Sequence, residues 1–112
     1  MRRNILCLVP AAVFSSFVIL ALPTSLRAQS DGGKLFSSNC VLCHAADGSG
    51  SSPTGKALKA KDLKSDEVQK VSDTDITAVI TNGKGKMPAF GKKLKAEDIQ
   101  ALVVYVRSLA KK

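Results

Sequence analysis

A chain of 112 residues has room for one small domain, and its formal charge of +8 comes with only 4% aromatic residues and no tryptophan. That composition excludes a multi-domain enzyme. The lysines are not interleaved with aromatic side chains, so they form no stacking platform for nucleic acid, and no nucleic-acid partner is expected.

Residues 1–28 read as an export signal. Met1-Arg2-Arg3 is a short basic start, and Ile5 to Leu22 is apolar apart from Ser15 and Ser16. Pro23-Thr24-Ser25 breaks the run and Ala28 offers a small residue for cleavage. The rival is an uncleaved anchor, because the run is just long enough to span a bilayer. Removing residues 1–28 takes away Arg2, Arg3, Arg27 and no acid, which leaves 14 basic and 9 acidic residues, a formal +5. Residues 29–112 then form one domain, exported to the periplasm or an equivalent lumenal space. Its size is marginal for a hydrophobic core, so a staple such as a disulfide, a metal or a bound cofactor is expected.

The first predicted helix runs from about 32 to 41, with Ser30 and Asp31 as capping residues and Leu35, Phe36 and Cys40 at helical spacing. Residues 45–56 are loop by composition. A short helix is expected around 65–70. Ser72-Asp73-Thr74-Asp75 fits a capping box, and the stripe of Ile76, Val79 and Ile80 continues until Asn82-Gly83. Residues 83–93 form a Gly- and Lys-rich loop around Met87-Pro88. In the last helix Ile99, Leu102, Val103, Val106 and Ala110 share one face, with Glu97 and Asp98 at its start and Arg107 near its end. No stretch alternates like a strand, which makes the fold class all-α. The two glycines of the first helix would let Tyr105 or Val106 of the last come close.

Cys40-Val41-Leu42-Cys43-His44 reads as a c-type haem attachment site. Two cysteines three apart point to one side of a helical turn, so each sulfur reaches one vinyl group. His44 then lies under the iron as an axial ligand. Three other readings of the cysteine pair exist. A thioredoxin-like redox pair wants a strand-helix-strand setting that is absent here. A closed zinc site wants four ligands, and no further Cys or His follows residue 28. A plain disulfide suits an oxidising compartment. His44 is the chain's only histidine and Met87 the only methionine after residue 28. Met87 sits in a loop, off any apolar helical stripe, which points to it as the sixth ligand of the iron.

These segments together resemble the class I c-type cytochromes, in their short mono-haem form. The likeness runs from Gly32 to Leu109. It rests on Gly32-x-x-x-Phe36-x-x-x-Cys40-x-x-Cys43-His44, on Asp47-Gly48-x-Gly50, on Thr81-Asn82-Gly83-x-Gly85-Lys86-Met87-Pro88-Ala89-Phe90, and on Ile99-x-x-Leu102-x-x-Tyr105-Val106. The resemblance implies three to five helices around one covalent haem c, with the N- and C-terminal helices packed together. It implies thioethers at Cys40 and Cys43 and axial ligation by His44 and Met87. It also implies that Pro53 supplies the carbonyl bonded to the other nitrogen of His44. Lys95 departs from the pattern, since relatives often cap the last helix with Ser or Thr.

The expected function is a single-electron shuttle, not an enzyme, acting as a monomer. The alternatives are a haem subunit of an exported oxidoreductase and, further off, an open-iron gas-binding or peroxidase-like protein. Gly50-Ser51-Ser52-Pro53-Thr54-Gly55-Lys56-Ala57 nearly spells a P-loop, but Ala57 replaces the magnesium-binding hydroxyl. Lys84, Lys86, Lys92, Lys93 and Lys95 flank the Met87 loop. They suggest acidic-faced redox partners, such as a membrane oxidase, a reductase or a photosynthetic reaction centre.

Overall fold

A computed structural model describes residues 30–110. The expected export signal at 1–28 lies outside the described residues. Six helices follow in chain order: α1 (Gly32–Asn39), α2 (Val41–His44), α3 (Pro53–Leu58), α4 (Asp66–Gln69), α5 (Asp73–Asn82) and α6 (Ala96–Ser108). No strand occurs among the described residues, and the all-α class stands.

The helix count exceeds the expected three to five for two local reasons. The helix expected over 32–41 is interrupted at Cys40, whose φ of −117° departs from helical geometry. Its N–H still bonds to the Phe36 carbonyl at 2.8 Å, and its own carbonyl accepts from His44 N–H at 2.9 Å to start α2. The stretch expected to be loop over 45–56 ends in α3. Ser52 is its cap, accepting from Gly55 N–H at 2.9 Å, and Pro53 occupies the first helical position. Pro fits there because that N–H has no partner within the helix anyway.

The remaining helices start as expected. The Ser65 hydroxyl caps α4, and the Ser72 hydroxyl accepts from Asp75 N–H at 3.1 Å to cap α5. At α6 Lys95 has no capping side chain of its own to offer. Asp98 compensates by reaching back to Lys95 N–H at 3.1 Å, and its second oxygen accepts from the Ser30 hydroxyl at 2.6 Å. These bonds hold the Asp98 carboxyl below its ordinary pKa, the Ser30 bond contributing most. The start of α6 is thereby tied to Ser30, two residues before α1.

The core forms where α1 and α6 cross. Phe36 and Leu102 are each 1% exposed, and Ile76, Ile80, Ile99, Val103 and Val106 complete the buried cluster. Burying each such side chain is worth about 1.5–3 kcal/mol. The expected close approach of the terminal helices is present: a Cβ at Gly32 would overlap the Ala101 carbonyl, and the Phe36 ring packs against Tyr105 at a tilt of 41° with centroids 4.9 Å apart. Of the predicted stripe on α6, Ala110 alone lies past the helix end and outside the core.

Arg107 ties α6 to the link between α4 and α5. Its guanidinium donates to the Gln69 carbonyl at 2.8 Å, to the Val71 carbonyl and to the Asp73 carboxylate at 2.8 Å. Nearby, Gln69 donates to the Leu63 and Val106 carbonyls at 2.7 and 3.0 Å. Arg107→Gln removes the charge and most of these donors. It is expected to lower stability by about 2 kcal/mol, the scale of charge-assisted bonds to backbone. Chemical denaturation of the holoprotein checks this, and a midpoint equal to that of the parent contradicts it.

Candidate functional site

The turn over Cys40–His44 projects three chemical groups from five residues. Cys40 and Cys43 are both free and partly buried. Burial, with help from Cys43 and against the nearby Lys93 ammonium, pushes the Cys40 thiol up to about 11. A thiol held protonated at neutral pH is a poor nucleophile, which sets Cys40 apart from the activated cysteine of reactive Cys-x-x-Cys sites. The donors also fail to gather as a bare-metal site: no group of three or more His, Cys, Asp or Glu side chains converges among the described residues.

His44 is held on two sides. Its carbonyl accepts from Gly50 N–H at 2.8 Å, and its Nδ1 lies 3.1 Å from the Lys61 carbonyl. A carbonyl can only accept, so Nδ1 carries a proton, and in the neutral ring Nε2 keeps its lone pair. That tautomer is the one an imidazole needs to ligate a metal through Nε2. The acceptor is Lys61 and not Pro53, which corrects the expectation from resemblance. Pro53 is used to start α3. The chain then turns through Lys59, at φ 56°, and returns the Lys61 carbonyl to the imidazole. Ala45, just past His44, also sits at a positive φ of 60°, a costly conformation for a residue with a Cβ.

Gly55 brings α3 directly onto this turn. A Cβ there would overlap the Cys43 and Gly50 carbonyls, so no larger residue permits the same packing.

Met87 is presented by a separate loop. Lys84 and Met87 exchange backbone hydrogen bonds, at 3.1 and 3.0 Å, which makes a tight turn through Gly85 and Lys86. Phe90 N–H bonds to the Ile80 carbonyl at 2.9 Å and Gly91 N–H to that of Thr81 at 3.0 Å, fastening the loop to the end of α5. Gly83 enters it at φ 74°, and a Cβ there would lie 2.6 Å from the Met87 carbonyl. Only glycine meets both conditions. Met87 is partly buried and packs against the same core cluster as Cys40. Leu35, Val41, Leu63, Val68, Phe90 and Leu94 pack there too, partly buried.

These groups fit a haem. They comprise two unbridged thiols on one turn, an imidazole in the ligating tautomer, a loop-borne thioether, and apolar side chains with surface still to cover. Sequence reasoning missed Lys61, Ser52 and Gly55. Lys61 acts through its backbone carbonyl, and nothing in a lysine announces that its carbonyl matters, while Gly55 acts by lacking a Cβ. Ser52-Pro53 did carry a helix-start signal, hidden in a run whose composition reads as loop.

Comparison with known proteins agrees with this reading. The family model described as cytochrome c oxidase, cbb3-type, subunit III, matches residues 27–106. The cytochrome c6 of Pyropia yezoensis is 40% identical over 89% of both chains. That of Microcystis aeruginosa is 43% identical over 73% of this chain and 98% of its own. Among solved structures, the c-type cytochrome KustC0563 superposes with a TM-score of 0.67 at 37% identity, covering 72% of this chain and 99% of that one. Cytochrome c6C from Synechococcus sp. PCC 7002 superposes at 0.57 with 33% identity, over 72% and 95%. An all-α domain with its terminal helices crossed, a Cys-x-x-Cys-His turn and a methionine loop thus matches these proteins over most of their lengths, and the chain belongs to the class I c-type cytochromes, with cytochrome c6 among its relatives.

Proposed function

We propose that Cys40 and Cys43 form the two thioethers to haem and that His44 Nε2 and Met87 Sδ are its axial ligands. As a class I c-type cytochrome the chain carries one covalent haem c and passes single electrons, and it is a carrier rather than an enzyme. The observation that carries the site assignment is the bond between His44 Nδ1 and the Lys61 carbonyl, which in the neutral ring reserves Nε2 for ligation.

Cys40 and Cys43 would hold the haem by adding across its two vinyl groups, sulfur to one carbon and proton to the other, which would need no oxidant. The haem supplies the one-electron chemistry of iron. The chain's work is to hold that group still. The Lys61 carbonyl orients the imidazole and raises its basicity. The Lys84–Met87 turn and its anchors at Ile80 and Thr81 fix the thioether, a soft donor that favours the reduced state. With both ligands held by backbone hydrogen bonds, little has to move when an electron arrives.

Residues 76–96 contain five lysines and no acid. Lys84, Lys86, Lys92, Lys93 and Lys95 are all exposed, and Lys93 lies near enough to Cys40 to act on its thiol. These charges favour docking of the Met87 loop against an acidic redox partner. Replacing Lys84, Lys86 and Lys93 together by Gln is expected to slow electron transfer to an acidic acceptor protein about tenfold or more at low salt and little at high salt, since steering is screened within about 10 Å at 0.1 M. Stopped-flow rates across a salt series check this, and salt-independent rates contradict it.

The oxidase-subunit description of the matching family model raises the second reading, a docked haem subunit. The cytochrome c6 relatives, matched over nearly their whole lengths, favour a free carrier. We place the chain in the periplasm or thylakoid lumen, with residues 1–28 as a cleaved export signal. No described helix is long and apolar enough to cross a membrane. The intact mass of the protein from a strain competent for cytochrome maturation tests this. Residues 29–112 plus one haem is the expected mass. Full-length chain plus haem would mean that the segment is kept as an anchor, and chain without haem would overturn the assignment.

A further inference from the structure

Ser52 joins the haem-attachment turn to α3. Its hydroxyl donates to the Leu42 carbonyl at 2.7 Å and the Cys43 carbonyl at 3.1 Å, while its oxygen accepts from Gly55 N–H at 2.9 Å. One side chain thus satisfies carbonyls in α2 and an orphan donor at the start of α3. Gly55 then lies directly on the Cys43 and Gly50 carbonyls. At the far end of α3, Ala60 N–H bonds to the Gly55 carbonyl at 2.8 Å, and the next residue is Lys61, whose carbonyl meets His44 Nδ1. The path from Cys43 through Ser52 and α3 back to His44 is a closed ring of short bonds.

We propose that Ser52 is a positioning residue for the axial histidine: by fixing α3 on the Cys40–His44 turn it sets the bond between the Lys61 carbonyl and His44 Nδ1, and through it the reduction potential. This rests on His44 being an iron ligand. The sign follows from the chemistry. A strong bond at Nδ1–H makes the imidazole a better donor and favours the oxidised iron. Releasing α3 lengthens that bond, weakens the donor and raises the potential.

The test uses the holoprotein and two variants. Ser52→Ala removes both the donor and the cap. Ser52→Thr keeps both, since Thr is a competent N-cap. The expected result is a higher midpoint potential and faster solvent exchange of the His44 Nδ1 proton in Ser52→Ala, with Ser52→Thr at the parent's values. A Ser52→Ala protein that is less stable but has the parent's potential and exchange rate would overturn the proposal, since Ser52 would then be a structural cap only. The parent alone provides a second readout. If the turn and α3 move as one body, the Gly55 N–H, Ala60 N–H and His44 Nδ1 protons share one opening event and one protection factor. A His44 Nδ1 protection factor more than tenfold below that of Gly55 N–H would also overturn it. A parent whose His44 shows no iron-shifted resonances would instead refute the ligation on which the proposal rests.

Discussion

Met87→Ala is expected to lower the reduction potential by on the order of 0.1–0.3 V, a substantial part of the roughly 0.8 V that axial ligation spans across haem proteins. Thioether sulfur favours the reduced iron, and its loss leaves water or nothing in its place. No second histidine or methionine can replace it, because His44 is the only histidine and Met87 the only methionine among the described residues. The fold itself should survive. Met87 is partly buried at the edge of the cluster, while the loop is held by backbone bonds from Lys84, Phe90 and Gly91 that do not involve its side chain. Potentiometric titration measures the effect, with helical content checked alongside. A folded Met87→Ala protein with the parent's potential would mean that another group is the sixth ligand.

Cys40→Ala/Cys43→Ala is expected to abolish cooperative folding in the haem-free chain. The buried cluster is built from seven side chains, and ten more hydrophobic residues pack against it only partly covered. Among them Cys40, Val41, Leu63, Met87 and Leu94 come from segments with little helix of their own. Four of the six helices have eight residues or fewer, too short to persist without tertiary support. Apolar burial of this extent is marginal against the entropy of ordering some 80 residues. Covalent haem adds bonds that exist only in the folded state, so their free energy is folding free energy. Far-UV circular dichroism with thermal melting checks this. A sharp melting transition and full helical content in the haem-free double variant would contradict it.

The helical outline of the domain was readable because its helices declare their starts. Ser72 caps α5 through Asp75 N–H and its hydroxyl donates to the Asp75 carboxylate, and the stripe on α6 buries Ile99, Leu102, Val103 and Val106 as its spacing demands. The family was equally legible, since Cys40, Cys43 and His44 stand at a fixed local spacing that the eye can read along the chain. What escaped was long-range or backbone-borne. Lys95 is a poor cap read alone, and its rescue by Asp98 and Ser30 joins groups 68 residues apart. Pro53 drew attention as a proline in the expected region, yet the carbonyl that faces His44 belongs to Lys61, because α3 takes up the intervening chain. A carbonyl is common to every residue, so only the path of the chain reveals which one serves.

The central claim is that His44 and Met87 hold one covalent haem six-coordinate in both oxidation states. The visible and near-infrared spectrum of the purified exported protein tests it most directly, recorded oxidised, then reduced, then reduced with carbon monoxide. A low-spin c-type spectrum with a methionine-to-iron charge-transfer band, unchanged by carbon monoxide, is the predicted result. A high-spin spectrum, or ready binding of carbon monoxide, would show an open iron and contradict the account.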